Sequence, residues 1–389
     1  MKKLFFLLVF ASSVQADYSG HIELQSHNYF DDAQYSKQLE NDYSLSLTQK
    51  YTTSWNQGDD SLSALAFVRV GSKDDEKNHL NLRELYWLHV AGDYEYRLGI
   101  NTVFWGVAES QNLVDVINQK DSVEGTDNEN KLGQPMFQFT AVKDWGVLDA
   151  FVLFGLQERT FAGEVGRPRT PLVVATDHVL YESSDKESHI DFAIRFSHYY
   201  EAIDYAVSLF SGTQRVPTLS VTNINGQTVL QPKYIQMTQI GLEAQTIIDA
   251  WLWKFEGIVN HNSVKNYNAM TTGFEYTFYN IWDSPVEMGS IVEYLYDSRG
   301  GSADTPFNND LFLGARFTFN DIQSSSVLAG LIYDTKNQTN IIRVEADRRI
   351  GGSWKIEGQI LLYGSIDDND VFKAYENDNA LQLELSYYF

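Results

Sequence analysis

Alternation of period two runs through almost the whole chain, and it narrows the possible folds more than any other feature. Leu62, Ala64, Ala66, Val68 and Val70 share one parity, with Ser63 and Arg69 on the other. Ile190, Phe192, Ile194 and Phe196 oppose Asp191, Ala193, Arg195 and Ser197. Ile342, Val344 and Ala346 oppose Arg343, Glu345, Asp347 and Arg349, a face with no apolar residue at all. Apolar on one side and charged on the other is the half-buried strand pattern, because successive side chains of a strand point to opposite faces. About eighteen such segments can be counted, near 18–30, 41–54, 61–72, 78–91, 93–103, 135–143, 146–157, 187–200, 203–212, 233–248, 251–261, 266–279, 284–297, 308–319, 323–335, 338–350, 353–365 and 379–389. The chain is therefore all-β. A soluble sandwich turns the charged face to water and a membrane barrel turns it to the lumen, and periodicity does not separate the two.

The connections do. Alternate ones are tight, at Ala91-Gly92, Asp144-Trp145, Glu201-Ala202, Asp249-Ala250 and Gly351-Gly352. Many of the others are long, at 103–135, 158–186, 213–232, 298–308 and 366–378, although 262–265 and 336–337 are brief. Short periplasmic turns and long external loops are the outer-membrane asymmetry. The segments are mostly long enough for a tilted strand to cross a bilayer. Aromatics make up 14% of the chain, and Tyr94, Tyr96, Trp251, Trp253, Phe278, Trp282, Phe317 and Phe319 gather beside the tight turns, as an interfacial girdle does. The expectation is a transmembrane antiparallel β-barrel of 16–18 strands in the outer membrane of a Gram-negative bacterium.

Both ends agree. Met1–Ala16 reads as a secretory signal peptide, with Lys2 and Lys3 before an apolar run and small or aliphatic residues at Val14 and Ala16. That leaves 17–389 as a single barrel domain. The last residues, ALQLELSYYF, put Leu381, Leu383, Leu385, Tyr387 and Phe389 on one face. This terminal strand resembles those that the barrel-assembly machinery recognises, and the resemblance makes Phe389 the assembly signal. No apolar stretch approaches the length of a membrane helix, and with no cysteine there is neither a disulfide framework nor a thiolate metal site. The formal net charge is −23, which argues against nucleic acid as a partner. Expected partners are outer-membrane lipid and lipopolysaccharide, the assembly machinery and small-molecule solutes; no cofactor and no metal is expected.

The third long connection opens with "RLGINTVFWGVAESQNLVDVINQKD". Its Arg97, Gly99, Trp105, Gly106, Asp115, Asn118 and Asp121 match an Arg-x-Gly, Trp-Gly, Asp-x-x-Asn-x-x-Asp pattern, with Gln119 where the pattern often has proline. In this the chain resembles a group of proteobacterial outer-membrane barrels loosely akin to alginate-export porins. Its rank and length also resemble the porin loop that folds inward and narrows the pore, and this likeness implies an inward-folded segment at about 103–135. An eighteen-strand barrel is too wide for wall side chains to fill, so a selective passage needs something in the lumen. Gly106 frees the backbone to leave the strand and Trp105 can wedge the loop against the wall. Glu109, Asp115 and Asp121 make the loop acidic. On a short helical turn Asp115, Asn118 and Asp121 would share a face; capping their own backbone is an equal alternative, and a calcium loop lacks the expected ligand spacing.

Arg69, Arg83, Arg97, Arg195, Arg316 and Arg343 fall on the inward parity of their strands. They can face the acidic loop and set a transverse field, or pair with neighbours such as Glu95, Asp191 and Glu345. Inward aromatics are expected at Phe67, Trp87, Phe312 and Tyr363. Glu84 would point at lipid in this register, which predicts a bulge near Arg83-Glu84. The function expected is a porin-like channel for passive passage of small or medium solutes. A closed structural or partner-binding barrel is the alternative, and a hydrolase a weaker one, since no nucleophile elbow or metalloprotease motif accompanies the eight histidines.

Overall fold

The computed structural model describes residues 15–125, 130–303 and 305–389. Residues 1–14 of the expected signal peptide lie outside the described residues. The chain forms β1 (Gln15–Tyr29), β2 (Asn41–Trp55), β3 (Asp60–Val70), β4 (Leu80–Ala91), β5 (Tyr94–Asn101), β6 (Gln134–Lys143) and β7 (Gly146–Phe154). There follow β8 (Leu180–Tyr181), β9 (Ile190–Tyr200), β10 (Ile203–Thr213), β11 (Thr218–Ile224), β12 (Gln227–Tyr234), β13 (Gln236–Ile248) and β14 (Trp251–Asn262). The last are β15 (Tyr267–Phe278), β16 (Glu287–Asp297), β17 (Asn309–Thr318), β18 (Ser326–Asp334), β19 (Asn340–Ile350), β20 (Trp354–Tyr363) and β21 (Ala380–Tyr388).

Eighteen of these build one sheet, in which each strand pairs with its barrel neighbours in sequence order. The sheet closes on itself where β1 pairs antiparallel with β21, Leu24 opposite Leu385. Closure leaves no edge strand, so every ladder group is paired inside the wall. All eighteen segments expected from alternation are barrel strands. Tight turns need a residue in the left-handed region, and Gly92 (φ 62), Glu201 (φ 54), Asp249 (φ 55) and Gly351 (φ 65) supply it at four of them.

Parity sorts the side chains as the alternation requires. Outward residues such as Leu24 (52% exposed), Leu45, Val70, Leu98, Phe192, Val259, Leu313 and Leu385 are apolar and uncovered around the barrel. So continuous an apolar belt exceeds what a water-facing surface carries and matches the hydrocarbon of a bilayer. At the short-turn end the expected girdle is present: Trp251 stacks on Trp253 at 5.8 Å and meets Tyr276 at 4.6 Å, and Trp282 stacks on Phe317 at 5.9 Å.

The bulge is present too. Leu65 pairs with Glu84 and Ala66 with Leu82, so Arg83 is the extra residue and both Arg83 and Glu84 face inward. Glu84 accepts a bond from Ser63 Oγ at 3.2 Å. The same shift corrects the placement of Trp87: it opposes outward Leu62 and is 39% exposed, on the lipid side rather than in the lumen. There its Nε1 donates to Asp60 at 2.9 Å.

The regions 158–186 and 213–232, expected as loops, contain a further three-stranded sheet: β11 and β12 form a hairpin, and β8 adds in parallel to β12. The hairpin turns on Asn225 (φ 52) and Gly226 (φ 86). An Asn-Gly pair between two alternating runs is a strong hairpin signal, and reading it would have found this element.

Candidate functional site

Between β5 and β6, the described residues 102–125 and 130–133 are tied to the wall by side chains at mid-strand height; 126–129 of the expected inward-folded segment lie outside the described residues. Glu256, in the middle of β14 and fully buried, accepts the backbone N–H groups of Val107 (2.7 Å) and Ala108 (2.9 Å) on one oxygen and Leu113 (2.7 Å) on the other. Glu293, in the middle of β16 and equally buried, accepts Glu109 N–H and Ser110 N–H, both at 2.8 Å, and the Ser110 hydroxyl at 2.5 Å. These strands lie six and eight places round the barrel from β5. Backbone donors without a ladder partner need acceptors when buried, and a carboxylate supplies the strong, charge-assisted kind.

Each residue singled out in the loop has an identifiable contact. Trp105 is 4% exposed, meets Phe151 edge-on at 5.7 Å, and joins Val114, Val116 and Ile117 in an apolar cluster with inward Met136, Leu153, Phe210 and Ile258. Gly106 has φ 134, and a Cβ there would lie 2.2 Å from Asn112 Oδ1. Asn118 accepts from Val103 N–H at 2.8 Å and donates to the carbonyls of Asn101 and Leu132, both at 2.9 Å, so it staples the loop's two ends together. Asp115 takes Lys120 and Lys131, each at 2.7 Å. Asp121 accepts from Thr160 Oγ1 at 2.8 Å and lies 3.2 Å from His79 Nε2. The shared helical face is not formed: Asp115, Asn118 and Asp121 lie in irregular backbone and serve three separate sets of partners. Glu109 reaches back to the wall by its own carboxylate, bonding Arg316 at 2.5 Å, with Lys254 3.9 Å away.

Because Gly106 combines left-handed backbone with a closed approach, Gly106→Ala is expected to loosen the loop at a cost of about 1–3 kcal/mol. Trypsin should then cut at Lys120 in the folded barrel, where the parent resists; equal resistance would show that the tight approach to Asn112 does not matter.

The inward arginines divide into two groups. Arg69 bridges Glu23 at 3.0 Å and the loop's Glu124 at 2.8 Å, and Arg316 holds Glu109. Of the others, Arg195 pairs with Glu243 and lies 6.0 Å from the ring of the loop's Trp105, Arg343 pairs with Glu345, Arg97 donates to Gln138 at 2.9 Å, and Arg83 lies over the Phe67 ring at 4.0 Å. Of the neighbours expected as partners, only Glu345 takes that role; Asp191 is held by Arg215 at 2.8 Å and His189 at 2.8 Å. The inward aromatics Phe67, Phe312 and Tyr363 are buried or half-buried, Phe312 in a second apolar cluster with Ile291 and Leu295.

Outside the membrane-spanning strands, burial works against the His79 imidazolium, but the Asp121 and Glu124 carboxylates outweigh it and raise its pKa above the ordinary value. Cavities border the loop on two sides. One of about 570 Å³ is lined by Gly106 and Val107 with Arg195, Glu243 and turn residues Lys143 and Asp144. Another, of about 70 Å³, is lined by Glu124 with Tyr29, Lys77, Arg167, Gln359 and Asp378.

Sequence reasoning missed Glu256, Glu293, Glu124 and the lysines that match Asp115. Their parity was readable, but nothing local marks Glu256 among many inward carboxylates; its partners are more than 140 positions away.

No protein-family model matches the chain, and no curated relative matches it in sequence. Solved structures do. A BenF-like porin from Pseudomonas fluorescens Pf-5 superposes with a TM-score of 0.56 at 9% identity, covering 98% of this chain and 99% of that one. Pseudomonas aeruginosa OpdQ gives 0.54 at 10% identity, covering 97% of each chain. Wzi of Escherichia coli, an outer-membrane protein involved in group 1 capsule assembly and described as a carbohydrate-binding β-barrel, gives 0.54 at 9% identity, covering 95% of this chain and 84% of that one. These likenesses establish the fold as that of an outer-membrane barrel.

Proposed function

We propose that this chain is an outer-membrane channel for passive passage of small or medium solutes, with residues 102–133 as its constriction. The observation that carries the reading is the anchorage of the loop backbone on Glu256 and Glu293, far round the wall from where the loop begins. A segment held at mid-height narrows the water-filled cross-section where field acts most strongly on ions. Kinship with alginate-export porins rests on the 97–121 motif alone, and the motif residues Trp105, Gly106, Asp115 and Asn118 serve loop architecture, so cargo has to be measured. Liposome uptake with sugars, organic acids and hydrophobic compounds separates the classes.

The direct test is a planar bilayer. Discrete conductance steps are expected from the purified barrel. Glu109→Gln should shift the reversal potential toward anion selectivity, and less so at high salt, because screening shortens the reach of the remaining charges. Asp115→Asn and Asp121→Asn are expected to disturb the loop rather than tune selectivity, since each carboxylate is itself buried and bonded.

A second reading, a closed barrel that binds a partner at its outer face, is favoured by one observation. The outer loops interlock: Arg167 between β7 and β8 is buried against Asp378 between β20 and β21 at 2.7 Å. Absence of any conductance step would overturn the channel reading in favour of this one.

A further inference from the structure

We propose that His79, Asp121 and Glu124 form a binding site for a divalent transition-metal ion of the zinc type, joining the connection between β3 and β4 to the one between β5 and β6. His79 precedes β4, whereas Asp121 and Glu124 belong to the loop between β5 and β6. One ligand atom from each lies within 4.8 Å of the others.

The case rests on donors and acceptors rather than on proximity. His79 Nδ1 lies 3.0 Å from the Lys77 carbonyl oxygen, which can only accept, so Nδ1 carries the hydrogen. In the neutral ring Nε2 then presents a lone pair, and it faces two carboxylate oxygens, Asp121 Oδ2 at 3.2 Å and Glu124 Oε1 at 3.7 Å. In that tautomer Nε2 and Asp121 Oδ2 can both only accept, so a cation belongs between them, either a proton on Nε2 or a metal ion, with Glu124 Oε1, which Arg69 already bonds, as the third donor atom in reach. Bonds of about 2.0–2.1 Å at tetrahedral angles set donor atoms about 3.3 Å apart, close to the 3.2 Å between Nε2 and Asp121 Oδ2, and Glu124 Oε1 at 3.7 Å would draw in on binding. The supporting contacts are those that orient ligands in such sites. Lys77 O fixes the histidine tautomer, Thr160 Oγ1 occupies Asp121 Oδ1 at 2.8 Å and leaves Oδ2 free, and the Phe67 ring sits 5.5 Å from the imidazole.

Neighbouring cations oppose binding: Arg83 acts on Asp121 and Glu124, Lys77 acts on Glu124, and Arg69 is the nearest. Arg69 Nε donates to both Glu124 oxygens at 3.0 and 2.9 Å, and its positive charge weakens the site. Glu23, 3.0 Å from Arg69, offsets that charge, and Glu124 Oε1 retains a second lone pair. Affinity is therefore expected in the micromolar range, well short of a dedicated structural zinc centre. An imidazole ligand selects zinc, nickel or copper over calcium and magnesium, which prefer oxygen alone.

The test is calorimetry on the full barrel without a histidine tag, stripped with a chelator and titrated with Zn²⁺. One saturable site per chain is expected, with no heat from Mg²⁺. His79→Ala and Asp121→Asn should each weaken binding at least tenfold, while His261→Ala leaves it unchanged. Gel mobility before and after heating reports whether each variant is assembled, and either of the first two suffices. A second readout is protection: Zn²⁺ should slow tryptic cleavage at Lys120 in the Gly106→Ala barrel and not in the Gly106→Ala/Asp121→Asn barrel. No saturable Zn²⁺ heat, or equal affinity in an assembled His79→Ala or Asp121→Asn barrel, overturns the proposal and leaves a proton as the cation between these groups.

Discussion

Replacing Glu256 and Glu293 together by alanine is expected to raise single-channel conductance at least severalfold while leaving the barrel assembled. The two carboxylates hold residues 107–113 by six short bonds, five from backbone N–H groups at 2.7–2.9 Å and one from the Ser110 hydroxyl. Each hydrogen bond to a charged group contributes about 1.5–3 kcal/mol, while ordering each loop residue costs about 1–2 kcal/mol. Removing both anchors thus leaves too little to hold the segment in place. The wall should not suffer, because its ladder bonds do not involve the loop. Glu256→Gln alone should have a smaller effect, since one oxygen still accepts while the amide nitrogen meets N–H donors. A double variant that conducts like the parent would remove the constriction from the functional reading, since the loop would then be held by other contacts or would not limit the current.

Deleting Phe389 is expected to lower the amount of assembled barrel at least severalfold. The residue sits on the closing seam, where its N–H donates to the Gly20 carbonyl and Gly20 N–H donates to its carbonyl, both at 3.0 Å, with the Tyr18 ring 6.1 Å from its own. The deletion removes two ladder bonds and an aromatic from the last step of closure, and it removes the terminal side chain expected to be read during assembly. Phe389→Leu keeps the main-chain bonds and so separates the two causes. Heat-modifiable mobility at parental levels in the deletion would dispose of the assembly role.

Alternation alone located all eighteen barrel strands, because a wall with lipid on one side and water on the other imposes a period of two at every crossing. The same reasoning reached the bulge at Arg83: a carboxylate aimed at hydrocarbon is costly enough that the register had to shift. It failed for Trp87 because that shift reverses parity for the rest of β4, and it passed over the hairpin at Asn225-Gly226 that lies outside the wall. Within the loop, Gly106 and Trp105 were legible, since a glycine leaving a strand and a large ring beside it have local meanings. Asp115, Asn118 and Asp121 were recognisable as polar groups with a task, and their spacing suggested one shared face.

Which task each performs was decided by partners that sequence order does not bring together. Lys131 reaches Asp115 from 16 positions away, His79 faces Asp121 from 42, and Glu256 meets Val107 from 149. A strand's faces are set by its own residues, so the chain alone fixes the barrel, its strands and the side of each wall position outside the bulged part of β4. The course of a loop is set by whichever buried donors and acceptors closure carries within reach. That is why the anchoring carboxylates, the arginines that engage the loop and the His79 cluster exist only once the cylinder has closed.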